Sequence, residues 1–304
     1  MAPALARFRS PRLPIGPSIE PDGIRGYYID FRTKNASAAW PPDWFPWPGF
    51  HRFMGVAQWG LGAFERYLLG EGEDWLAAST AAARHIAEQQ ERSGSLRGGW
   101  FEPRGHRHTF TTPAPWLSAM AQGQCASLLV RVGKVIGADE LLESAANGLR
   151  PMVVPVSAGG VATQLDGGLF LEEYPTDPPS LVLNGAIFAL WGAFDVGRAL
   201  GGDLGTRIFS EAGDVLAANL ERWDTGFWSR YDLYPHQVDN VASPFYHALH
   251  IEQLEAMNRI APAPAYAALA GRFREQAAST PNRARALVQK AAFRLVVRKG
   301  LHRA

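Results

Sequence analysis

Three tyrosines stand in short polar clusters along the chain: Tyr174 in LEEYP, Tyr231 in SRYDLYPH and Tyr246 in SPFYHALHIEQL. Glu172 and Glu173 directly precede the first, and His247 and His250 follow the third. Tyr246 and His250 are four residues apart, so on a helix they share a face, with Gln253 one turn further on. Phenols are weak bases, because with a reference pKa near 10 only about one in a thousand is ionised at pH 7. They are good acids, and a nearby cation lowers their pKa. Phenols, a carboxylate and imidazoles around one cavity suit proton transfer at carbon. They suit glycoside hydrolysis less well, since that chemistry calls for two carboxylates facing across the scissile bond. Each tyrosine taken singly reads as structural; the set of three favours chemistry.

Glu173 and Tyr174 close an apolar run, GGLFLEEY, that reads as a strand. From Leu181 the chain continues LVLNGAIFALWGAFDVG, apolar on nearly every side around the single amide Asn184. A helix that is apolar all round is a core helix. Asp177, beside Pro178 and Pro179, sits at the predicted helix start, where the dipole favours negative charge.

Comparable helical runs begin after Pro48, Pro115, Pro179 and Pro244, at intervals of 67, 64 and 65 residues, which makes a repeat. Each apolar run is followed by a more polar amphipathic one: EDWLAASTAAARHIAEQQERS, ADELLESAANGLRPMV, LGTRIFSEAGDVLAANLERW and APAYAALAGRFREQAAS. Inner apolar and outer amphipathic helices predict two concentric layers. Three stretches between the pairs, GGWFEPRGHRHTFTTP, VVPVSAGGVATQLDGGLFLEEYP and WDTGFWSRYDLYPH, read as β-hairpins. The sequence therefore predicts an all-α fold, an (α/α) toroid or barrel of about four helical hairpins with short β-hairpins on one rim and an irregular N-terminal arm. An open solenoid is the competing arrangement. The expected divisions are an arm over 1–49, the barrel over 50–280 and a basic C-terminal helix over 281–304. Polar residues within the inner helices are expected to face a central cavity: Gln58, Gln122, Gln124, Asn184, His247, His250 and Gln253. A buried amide without a partner is costly, so such a lining implies water or a ligand.

The chain is long enough, at 304 residues and 47% apolar, for a large core. A net charge of only +1 gives no overall pull towards nucleic acid. One cysteine, Cys125, excludes an internal disulfide, and its apolar setting marks it as a core residue. Ten tryptophans suit both sugar stacking and a tightly packed helical ring. The N-terminus lacks an apolar block long enough for a signal sequence, and no run is long enough to span a membrane, so a cytoplasmic protein is expected. Metal binding is weakly indicated: His106 and His108 would share a strand face, but no nearby ligand completes a site. No phosphate-cradling glycine motif is present, so no cofactor is expected. The last stretch, NRARALVQKAAFRLVVRKGLHRA, carries seven cations, among them Lys290 and Arg294, and no acid. It reads either as a basic helix for an anionic polymer or membrane surface, or as a solvated terminal helix.

The motifs EEYPTDPPSLVLNGAIFALWGAFDVG, WLSAMAQGQCASLLVR, YDL at Tyr231–Leu233 and YHALHIEQL from Tyr246 resemble the C-terminal domain of D-glucuronyl C5-epimerases, over about residues 50 to 275. That resemblance implies an (α/α) barrel, a homodimer, and an active site at Glu173, Tyr174, Tyr231 and Tyr246. It implies inversion of glucuronate to iduronate within an anionic, heparosan-like polysaccharide. Animal members carry an arginine directly after YDL where this chain has Tyr234, so the partner of the substrate carboxylate is left to Arg230, Arg104, His247 or His250. Animal members also have N-terminal β-domains that help form the long substrate groove, where this sequence offers only the short arm. Gln122, Gln124 and Asn184 are further candidate binding residues. Removing the proton at C5 builds negative charge that the site must stabilise, and inversion needs acid and base groups on opposite faces of the ring. A uronate lyase, which begins with the same proton abstraction, and a non-catalytic polysaccharide-binding protein are the alternatives.

Overall fold

The computed structural model describes residues 13–21, 24–43, 45, 52–107 and 109–301. Helices dominate, in four successive pairs: α1 (Arg52–Leu68) with α2 (Glu73–Glu88), α3 (Ala119–Ile136) with α4 (Asp139–Gly148), α5 (Leu183–Leu200) with α6 (Asp203–Asn219), and α7 (Pro244–Ile260) with α8 (Pro264–Ala278). Each pair packs as a hairpin, and the apolar members pack on one another in the order α1, α3, α5, α7. The fold is all-α, with the apolar helices inside as their sequences require: α3 and α5 bury nearly every residue. Their close approach depends on two glycines. A Cβ on Gly192 would lie 2.3 Å from the Cα of Gly123, and one on Gly123 would lie 2.5 Å from the carbonyl oxygen of Phe188.

Sequence periodicity locates the helices but not the starts of α3 and α5. α3 and α5 begin four residues after their prolines, at Ala119 and Leu183: Ser118 is extended ahead of α3, and ahead of α5 Leu181 is left-handed and Val182 extended. Residue 51 and most of 44–50 lie outside the described residues, so α1 is first seen at Arg52. Only α7 starts on its proline, with Ser243 accepting a hydrogen bond from Tyr246 N–H as N-cap. Asp177 is therefore not the α5 cap, and Val182 occupies that position without a side-chain bond. Two of the expected hairpins form: β1 (His106–Arg107) with β2 (Thr111–Thr112), and β3 (Ala162–Leu165) with β4 (Gly168–Leu171). The second turns on Asp166 and Gly167, both at positive φ, as a two-residue Asp-Gly turn requires. The third stretch makes only isolated bridges, Asp224 with Ser229 and Arg230 with Val241.

Residues 13–35 touch all four inner helices. Ser18 N–H donates to Glu65 of α1, and Ile15 N–H donates to Glu252 of α7. Arg131 of α3 donates to the Gly26 carbonyl, and Tyr28 donates to Asp195 of α5 at 2.6 Å. The last helix, α9 (Thr280–Leu301), follows α8 and carries the basic stretch; the side chains of Arg298 and Lys299, and Arg303 altogether, lie outside the described residues.

Candidate active site

β4 leads straight into Glu172, Glu173 and Tyr174, and the adjacent glutamates have opposite roles. The Glu172 carboxylate accepts from the Ser180 hydroxyl and from the Ser180 and Leu181 amides. It thereby fixes the turn into α5, where Leu181 is held at φ 52°, a left-handed conformation costing about 1–2 kcal/mol for a residue with a Cβ. Burial pushes Glu172 up to about 7. Glu173 instead points at the start of α5, where Asn184 Nδ2 donates to Oε2 at 3.4 Å and Tyr174 adjoins the carboxyl. Gly185 makes room for it, since a Cβ there would lie 2.5 Å from Oε2. Burial first, and Glu172 next to it, push Glu173 up to about 8.

Tyr231 reaches the same place from the loop before α7: its N–H donates to the Asn240 carbonyl, and its own carbonyl accepts from Leu183 N–H. Tyr246 arrives from the first turn of α7, its ring 4.9 Å from that of Tyr231 at 66°. Tyr174 adjoins Tyr231, and Tyr231 adjoins Tyr246, so the three phenols form a series that begins at Glu173. Burial raises all three phenol pKa values, Tyr246 to about 12, and the Glu173 charge adds to the effect. At pH 7 the phenols are neutral donors.

These tyrosines form one wall of a cavity of about 200 Å³. His106 and Phe110 line it beside Tyr174, Asn240 comes from the loop before α7, and Lys290, Phe293 and Arg294 come from α9. No carboxylate lines it among the described residues. A larger depression of about 400 Å³ between α2 and α4 is lined by interleaved arginines and glutamates and includes none of the tyrosines.

The other expected site residues divide. Asn184 joins Glu173. Gln122 is a staple outside the site, accepting from Trp100 N–H and donating to the carbonyls of Gly98 and Gly148. Gln124 accepts from Gln58, deeper along the helices. His247 and His250 both meet Ser229 Oγ, at 2.8 and 3.0 Å, behind the Tyr231 loop, with His247 stacked on Trp228 at 3.7 Å. Burial lowers their pKa values to about 4 and 3, so both rings are neutral at pH 7. Arg230 pairs with Asp239 at 2.9 Å, and neither it nor Arg104 lines the cavity. His106 lies against Tyr174, with ring centres 5.0 Å apart, and His108 falls outside the described residues. Among the described residues no group of three or more His, Cys, Asp or Glu could hold a metal, and no helix is long and apolar enough to cross a membrane. Sequence reasoning missed Gly185, Phe110 and Asn240 altogether. It noticed Lys290 and Arg294 only as members of a basic run.

The family model described as D-glucuronyl C5-epimerase C-terminus matches residues 97–275, which include Glu173, Tyr174, Tyr231 and Tyr246 and stop before α9. A D-glucuronyl C5-epimerase of Caenorhabditis elegans is 33% identical over 177 residues, covering 52% of this chain and 29% of that protein. An uncharacterized protein of Methanocaldococcus jannaschii is 25% identical over 146 residues, covering 47% of this chain and 46% of that one. The chain thus spans less than half the length of either relative. With the match running through more than half of its residues and through all four residues of the phenol chain, the protein belongs to the D-glucuronyl C5-epimerase C-terminus family.

Proposed function

We propose that the protein is an epimerase that inverts C5 of D-glucuronyl residues in an anionic, heparosan-like polysaccharide. The observation that carries this reading is the series of adjoining phenols running from the buried carboxyl of Glu173 to the cavity wall. With a pKa of about 8, Glu173 is ionised in about a tenth of molecules at pH 7. In those molecules a proton can pass from Tyr246 through Tyr231 and Tyr174 to Glu173, leaving a phenolate at the cavity. The phenolate takes the proton from C5, and the electron pair of the broken C–H bond spreads onto the neighbouring carboxylate as an enolate-like dianion. A neutral phenol on the other face then returns a proton to C5, and the configuration is inverted. Tyr231 and Tyr246 are the pair assigned as base and acid at C5; Tyr174 relays and Glu173 stores the proton.

The wall without a carboxylate supports the same reading, since it avoids repulsion of an anionic sugar. On the likeness to the family, the four hairpins are taken as a closed barrel and the working form as a homodimer, which light scattering tests. The activity is tested by proton NMR of unsulfated heparosan incubated with the protein in deuterium oxide. Deuterium at C5 together with new iduronate signals is expected. Absorbance of a 4,5-unsaturated sugar instead would identify a lyase, and tight binding without exchange would identify a non-catalytic binding protein.

A further inference from the structure

α9 lies beyond the family match, yet it supplies a wall of the cavity. Phe293, buried, meets the His236 ring edge-on at 4.9 Å. Arg285 stacks on Phe227 at 3.8 Å, and Gln289 donates to the Asp239 carbonyl. The helix is thus laid across the loop that carries Tyr231. Lys290 and Arg294, four residues apart, share the face turned to the cavity.

Lys290 is the better placed of the two. Its Nζ lies 2.6 Å from Asn240 Oδ1 and 5.8 Å from the centre of the Tyr231 ring. Asn240 is oriented by Asp232, whose Oδ2 accepts from its amide, so the amide oxygen is turned to Lys290. Asp232 stands one amide further back, facing His236 at 3.2 Å and accepting from Tyr234 N–H. Among the described residues no carboxylate lies within ion-pair distance of Lys290. The ammonium has three N–H donors, and one neutral acceptor engages only one of them. Half-buried, with the Asp232 charge beyond ion-pair distance only partly offsetting its burial and Arg294 beside it, it sits where a bound anion would relieve both desolvation and mutual repulsion.

We infer that Lys290, assisted by Arg294, is the anchor for the substrate carboxylate, and that α9 is part of the active site. The inference rests on the reading of the cavity as a uronate site. The ammonium then sits against the carboxylate onto which the C5 electron pair spreads, while Tyr231, just beneath, faces the ring carbon. It holds that charge in the transition state more strongly than in the ground state, which is the requirement for catalysis.

The test uses the full chain with a heparosan hexasaccharide and its carboxyl-reduced counterpart, titrated calorimetrically into wild type, Lys290→Gln and Lys290→Arg. Val288→Ser, on the outward face of α9, is the control for helix integrity. Lys290→Gln should bind the carboxylate form roughly 10- to 100-fold more weakly, as loss of a charged hydrogen bond implies. It should bind the reduced form like wild type, and Lys290→Arg should recover most of the loss. Equal affinity of Lys290→Gln and wild type for the carboxylate form would overturn the inference, as would a wild type that does not distinguish the two sugars. C5 exchange measured on the same proteins separates this from the epimerase reading. Lys290-dependent binding without exchange leaves the anchor and removes the epimerase, whereas exchange unaffected by Lys290→Gln does the reverse.

Discussion

Buried acids and tyrosines sit at both ends of the inner helices, and the two ends differ in how those groups are satisfied. Towards the C-terminal ends, Asp195 and Arg131 form a fully buried pair at 2.5 Å. Tyr28 donates to the same carboxylate, and the guanidinium also donates to the carbonyls of Gly26 and Ser127. Burial works against the guanidinium charge, but Asp195 more than offsets it, so the Arg131 pKa lies above its ordinary value. At the N-terminal ends Glu173 has an amide donor and an adjoining phenol but, among the described residues, no cation, and its pKa rises to about 8. The same ingredients make an anchor when every charge is matched, and a proton store when the charge is left unmatched.

The largest effect that would break this comparison is at the anchor. Arg131→Met leaves Asp195 buried without its partner and should cost about 3–5 kcal/mol of stability, read by urea denaturation. Replacing both, as Arg131→Met with Asp195→Leu, should recover much of it; a single variant as stable as wild type would mean that the pair does not hold the arm. At the other end, Glu173→Gln should abolish C5 exchange yet stabilise the protein in a pH-dependent way. The folded pKa of Glu173 is raised, so its contribution is fully present below about 4.5 and is lost as pH climbs to about 8. The melting advantage of Glu173→Gln should therefore be near zero at pH 4.5 and reach at least 2–4 °C, roughly the effect of 1 kcal/mol, at pH 8. Below pH 8 the exchange rate of wild type should climb with pH as Glu173 ionises. The smallest change is Gly185→Ala, whose methyl group would meet the Glu173 carboxyl at 2.5 Å. It should lower exchange by about tenfold through displacement of that group, with melting lowered by no more than about 2 °C.

Much of this arrangement is readable from sequence, for identifiable reasons. The apolar and amphipathic alternation gives the helical pairs because burial on all sides leaves a compositional trace. The tyrosine set is found because its members sit in polar clusters beside apolar runs. Cys125 is read correctly as core, lying wholly buried. The start of α5 is missed because Leu181 takes a left-handed turn that only Glu172, nine residues earlier, explains. Gly123 and Gly192 look like ordinary helix glycines until the helices are laid together. His247 and His250 share a helix face with Tyr246 by spacing, but Ser229 draws their rings behind the loop. The role of Lys290 is hidden because α9 has apolar residues on both sides: Ala286 and Phe293 face in, while Val288 and Leu295 face out. Its docking face carries no period that distinguishes it.

The most direct test of the account is the rate of deuterium entry at C5 of heparosan for Tyr231→Phe and Tyr246→Phe, with thermal melting followed on the same samples. Each variant removes one hydroxyl from the proton path and should lose about 10²- to 10⁴-fold in exchange with melting unchanged to within a few degrees. Near-wild-type exchange in both would contradict the assignment of the phenol chain as the proton path.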